Sequence, residues 1–164
     1  MKYLNKHSLL ILMIASALLV TIKISGNGGI KEYTSKKEYA DIMTYLQQGL
    51  IDKGYEIEKI QPIDRGLAKA GKKINVYRII FFNPRHTQDA VQRKYPGFSA
   101  LLPLSITVAK EKNKIRIISG PYKFMVNSAK GDDLRALVKL WQHDSDKVIK
   151  HAIKTSESTF KLKI

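Results

Sequence analysis

The chain has 164 residues, no cysteine, and 29 Lys and Arg against 14 Asp and Glu, a net charge of +15. Without thiols there is no disulfide framework, no thiolate metal site and no cysteine nucleophile. Residues 1–31 hold four lysines and no acid, so a balance of +11 remains from Glu32 onward, spread along the chain. A spread excess predicts attraction to anionic surfaces, whether lipid, nucleic acid or acidic protein, and says nothing about fold.

The first thirty residues read as a targeting segment, followed by one domain with a single core over residues 31–154 and a polar tail over 155–164. Lys2, Lys6 and His7 precede an apolar run from Leu9 to Ile22, broken only by Ser16 and Thr21. Lys23 interrupts it, and Ser25-Gly26-Asn27-Gly28-Gly29 forms a flexible exit. A positive flank before a short apolar core is how a secretory signal is built. The small-residue match at Ala15-Ser16-Ala17 lies inside the apolar core, and no good cleavage site follows. The reading is an uncleaved or slowly cleaved signal anchor in the inner membrane, with the lysines in the cytoplasm and the domain in the periplasm. The alternative is a cleaved signal peptide that leaves the domain free in the periplasm.

Ser35-Lys36-Lys37-Glu38 matches a capping box, which predicts a helix start at Ser35. Tyr39, Ile42, Met43, Leu46 and Leu50 then recur at helical spacing, with Gly54 as the expected stop. Tyr55 to Ile63 reads as a strand, and Pro62 places it at a sheet edge or a strand end. The polar, glycine-flanked stretch from Asp64 to Lys72 suits one or two helical turns.

Ile74 to Phe82 is apolar or aromatic on both alternating faces, interrupted only by Asn75 and Arg78. A strand of that kind is covered on both sides. If helices cover only one face, the economical cover for the other is a second copy, so the pattern predicts a sheet-face homodimer. Asn83-Pro84 follows as a helix start: Asn is a preferred cap, and Pro at the first helical position loses only an amide without a partner. The helix ends near Lys94, because Pro96 disfavours helical geometry at Tyr95.

Leu102-Pro103 leads into a strand from Ser105 to Lys110, a polar turn at Glu111 to Lys114, and a return from Ile115 to Ser119, an antiparallel hairpin. After Gly120-Pro121, the cluster of Tyr122, Phe124, Met125 and Val126 is expected over the rim of the sheet or along a shallow pocket. Asp132-Asp133 opens a last helix whose buried face carries Leu134, Leu137, Val138, Trp141, Ser145, Val148 and Ala152. His143 and His151 lie eight apart with Lys147 between them, which opposes a cation, so no metal site is expected there. Beyond Thr155, Phe160, Leu162 and Ile164 alternate with lysines, as in an edge strand or a frayed end.

The fold class that follows is α+β, two layers: a small sheet of about four strands with an antiparallel hairpin, and helices packed on one face. Gly54-Tyr55 after a first helix, a buried strand running into Asn83-Pro84, Pro96 some twelve residues on, and Leu102-Pro103-Leu104 before a hairpin together resemble the bacterial and archaeal family called domain of unknown function 302. The resemblance covers roughly Ser35 to Tyr122. It implies a compact sheet-and-helix domain, homodimeric in some members and exported in others, with no assigned activity. Many members carry a small residue or Cys before the Asn-Pro pair; this chain has Phe82.

No phosphate-binding glycine loop, zinc-protease motif, nucleophile elbow or paired CxxC is present. The candidate ligand-binding residues are Asn83, Pro84, Arg85 and His86, with Pro103 and Tyr122 beside them. The first reading is a non-catalytic binding or accessory module for a small ligand or a protein partner. The alternative is an enzyme acting on a small anionic substrate held by Asn83, Arg85 and His86. No cofactor is expected, and nucleic acid is not expected as a partner because no aromatic-basic platform is visible.

Overall fold

The computed structural model describes residues 23–24, 30–72 and 75–155. The expected signal anchor, the glycine-rich linker, Ile74 and the tail beyond Thr155 lie outside the described residues. Among the described residues, no helix is long and apolar enough to cross a membrane.

The strands are β1 (Lys23–Ile24), β2 (Lys31–Ser35), β3 (Tyr55–Pro62), β4 (Tyr77–Pro84), β5 (Leu104–Glu111) and β6 (Lys114–Ser119). They form one antiparallel sheet in the order β1-β2-β6-β5-β4-β3, in which β1 is a two-residue pairing on β2. The helices are α1 (Tyr39–Asp52), α2 (Ile63–Lys69), α3 (Gln88–Lys94), α4 (Pro96–Ser99), α5 (Tyr122–Ser128) and α6 (Asp132–Lys154). The class is therefore the expected α+β, with five full strands where about four were expected. β3 lies at the sheet edge, as Pro62 implied, and β5 and β6 form the expected hairpin.

The additional strand is β2, and it moves the first helix start. Ser35 ends β2 in register with Ile115 of β6, and α1 begins at Tyr39 with Glu38 as its cap residue. The Ser35 hydroxyl accepts from the Lys37 amide at 3.2 Å, so it closes a turn between strand and helix instead of a capping box.

A second correction falls on Asn83-Pro84. Both residues belong to the end of β4, where Asn83 faces Glu56 and Pro84 faces Tyr55 of β3. α3 starts only at Gln88, with Thr87 as its cap residue. A proline at the last position of a strand removes one ladder donor where the pairing ends anyway.

α1 and α6 lie antiparallel to each other over one face of the sheet, with the Gly49 backbone close against Val148. Ile42, Leu46 and Leu50 of α1 and Val138, Trp141, Ile149 and Ala152 of α6 are buried against Ile80, Phe82, Ile106, Val108, Ile115 and Ile117. The period of two along the strands and the helical spacing along α1 and α6 thus meet in one apolar layer. The opposite face of β4 is covered less well: Tyr77, Ile79 and Phe81 are half-buried within one chain, beside Thr107 of β5 and Ile118 of β6.

Candidate functional site

The candidate site forms where β4 ends and β5 begins. Between Ile57 and Lys59 the pairing of β3 with β4 shifts by one residue, and this bulge displaces Glu58 from the ladder. The Asn83 side-chain amide donates to the Glu58 carboxylate at 3.0 Å. Asn83 is 8% exposed, and its Oδ1 is buried without a hydrogen-bond partner. Buried amide oxygens are normally paired with protein groups or ordered water, so this oxygen is left able to accept a hydrogen bond.

Glu58 and Asn83 form one wall of a cavity of about 200 Å³ closed by Gln88 and Gln92 of α3, Ser99 of α4, and Leu102 and Pro103. The Leu102–Pro103 peptide is cis, and it turns the chain from α4 into β5. The lining is one carboxylate, three side-chain amides and a hydroxyl over an apolar corner, and it contains no cation. Such a lining can hold a small polar molecule through several directed hydrogen bonds. Among the described residues, no group of three or more His, Asp or Glu side chains converges as a metal site.

Of the residues singled out from sequence, Asn83 and Pro103 come together in this cavity. Pro84 is buried at the end of β4, while Arg85 and His86 are exposed on the turn between β4 and α3 and line neither wall. Tyr122 is not beside them. It is 1% exposed in the core, its hydroxyl 2.6 Å from the Ser145 hydroxyl of α6.

That contact belongs to a group which sequence reasoning missed. On consecutive residues of α6, Asp144 accepts from the Tyr55 hydroxyl at 3.1 Å, Ser145 meets Tyr122, and Asp146 accepts from the Tyr33 hydroxyl at 2.7 Å. Lys53 lies 3.4 Å from Asp144, and Lys31 pairs with Asp146. Burial raises the pKa of all three phenols above the ordinary value near 10, and the neighbouring aspartates reinforce the shift. The arrangement fastens β2, β3 and α5 to α6 through hydroxyls kept neutral. The partners are 89 and 113 residues apart for Tyr55 and Tyr33, and no local spacing announces them.

These features define an antiparallel-sheet domain with two long helices on one face and a small polar cavity at the end of its fourth strand. A family model described as "Domain of unknown function DUF302" matches residues 31–154, and the chain belongs to that family. The fold is similar to the crystal structure of an uncharacterized conserved DUF302 protein from Bacillus stearothermophilus, with a TM-score of 0.68 and 11% identity over 76% of this chain and 98% of that one. The curated proteins contain no match to this chain.

Proposed function

We propose that the protein is a membrane-tethered, periplasm-facing module that binds a small donor-bearing ligand at the Asn83 cavity without transforming it. The observation that carries this reading is the buried, unpaired Asn83 Oδ1 in a wall shared with the Glu58 carboxylate. Two acceptors and no cation favour an amine, an amide or a polyol over an anion. Tethering rests on the Lys2 and Lys6 flank and the Leu9–Ile22 run. The half-buried Ile79, Phe81 and Ile118 give the sheet-face homodimer of the same reading its surface.

The test is calorimetric titration of the full chain with small amines, amides and polyols. Saturable binding that Asn83→Leu abolishes, and that Arg85→Ala and His86→Ala leave unchanged, is the expected result. Binding of small carboxylates or phosphates that needs Arg85 and His86 but not Asn83 would replace this reading with the anionic-substrate enzyme. Carbonate extraction of membranes tests the tether: the full chain stays with the pellet and a chain starting at residue 31 is released. Sedimentation of the full chain tests the dimer, which a monomer at every concentration would remove.

A further inference from the structure

A second and larger cavity, of about 510 Å³, lies away from Asn83, between the α3–α4 corner and the junction of α5 with α6. Its walls are Tyr95, Phe98, Leu101, Phe124 and Leu134, with Lys130 at the edge. Phe98 and Leu134 are core residues and form a fixed floor, 7% and 2% exposed. Phe124 is 55% exposed, an unusual position for a large aromatic side chain. The Tyr95 wall is held in place: its hydroxyl donates to Asp133 at 2.6 Å, and Lys94 reaches the same carboxylate at 2.5 Å. These exposed contacts link the Lys94–Tyr95 wall to Asp133 of α6.

We propose that this groove binds a single-chain amphiphile with an anionic head, such as a medium- or long-chain carboxylate. The volume lies within the roughly 300–1,000 Å³ usual for small-molecule sites. Its aromatic and branched walls suit a hydrocarbon chain, and Lys130 has no acid partner among the described residues. A cation at the edge of an apolar groove places the charge of the ligand at the mouth and its chain along Phe98 and Leu134. The net charge of +15 raises the local concentration of anions. The concave shape favours one free molecule over a bilayer surface, which a protruding apolar patch would enter instead.

Gly97 supplies the test, because it lines the groove and a Cβ added there meets nothing within 4 Å. The full chain is photolabelled with a diazirine-bearing undecanoate and the labelled peptides are mapped, with decanoate and decanol as competitors. Label on residues 95–101 and 124–134, displaced by decanoate, is the expected result. Gly97→Leu lowers the yield about tenfold or more, as displacing roughly two methylenes from the groove would do, and leaves the melting temperature unchanged or raised. Lys130→Gln raises the decanoate needed for competition about two- to fivefold and leaves decanol unchanged, the effect of one exposed charge. Label confined to the N-terminal apolar segment, or a yield indifferent to Gly97→Leu, overturns the proposal. So does displacement by phosphatidylglycerol vesicles that matches displacement by free decanoate, because the site would then be a membrane surface.

Discussion

Replacing glycine by alanine in a helix stabilises it by roughly 0.5–1 kcal/mol when nothing else changes, because alanine loses less backbone freedom on folding. Two helical glycines of this chain are expected to depart in opposite directions. Gly66 of α2 is exposed, and a Cβ there meets nothing within 4 Å, so Gly66→Ala gains the full amount. Gly49 of α1 faces α6, and a Cβ there stands 3.0 Å from Val148 Cγ1 and 3.3 Å from Cγ2. Val148 is 4% exposed, and a β-branched side chain in a helix has one strongly preferred rotamer, so it cannot turn aside. α6 cannot retreat without loosening the Tyr55, Tyr122 and Tyr33 contacts on its next turn. Overpacking of this kind costs about 1–3 kcal/mol, which exceeds the helical gain and leaves Gly49→Ala about 1 kcal/mol less stable than the parent. For a domain of this size that is a fall of about 3–5 °C in melting temperature, while Gly66→Ala rises by a similar or smaller amount. The assay is a urea titration of both variants with circular dichroism detection, repeated for Gly49→Ala with Val148→Ala. With Val148→Ala measured alone as well, the double variant should lose at least about 0.5 kcal/mol less than the two single changes summed. Equal stabilisation by both single variants would show that α1 and α6 are not packed at this distance.

Tyr122→Phe leaves the buried Ser145 hydroxyl without its partner and should destabilise by about 1–3 kcal/mol in the same urea titration, with Tyr122→Phe plus Ser145→Ala costing less than the two single changes summed. Tyr33, Tyr55 and Tyr122 should be missing from the phenolate absorbance that rises near pH 10, appearing only as the protein unfolds at higher pH. Their folded pKa values lie above the unfolded one, so the stability they contribute is whole below pH 10 and is lost as pH rises towards the folded values. A complete phenolate signal near pH 10 from a chain still folded by circular dichroism would refute their burial.

The layers were legible in the sequence wherever the signal was a period. The stripe from Ile42 to Leu50, the alternation of Ile106 and Val108, and the long face from Leu134 to Ala152 all reappear as core. Punctuation proved less dependable, because tertiary pairing reassigns end residues. Asn83-Pro84 satisfies every local rule for a helix start, yet ladder partners at Glu56 and Tyr55 draw both residues into β4. β2 was missed because only Tyr33 and Ser35 of its five residues are buried, too few for a visible alternation. The cavity was half legible: Asn83 and Pro103 are sharp sequence features, but Glu58 enters through a bulge and Gln88, Gln92 and Ser99 through the turn of α3 into α4. Arg85 and His86 followed from the expected helix start and moved to the exposed turn with its correction.

The first full strand, β2, pairs with the last, β6, and the hydroxyl of its tyrosine donates to Asp146 in the second half of the final helix. An N-terminal fragment that stops before α6 therefore lacks the acceptors for Tyr33 and Tyr55 and leaves only α1 of the two long helices to cover the sheet. Contacts of such long sequence separation form late and slowly, because the whole intervening chain must be ordered before they contribute. The domain therefore closes from both of its ends, and the layer over β2 and β3 is complete only once α6 is in place.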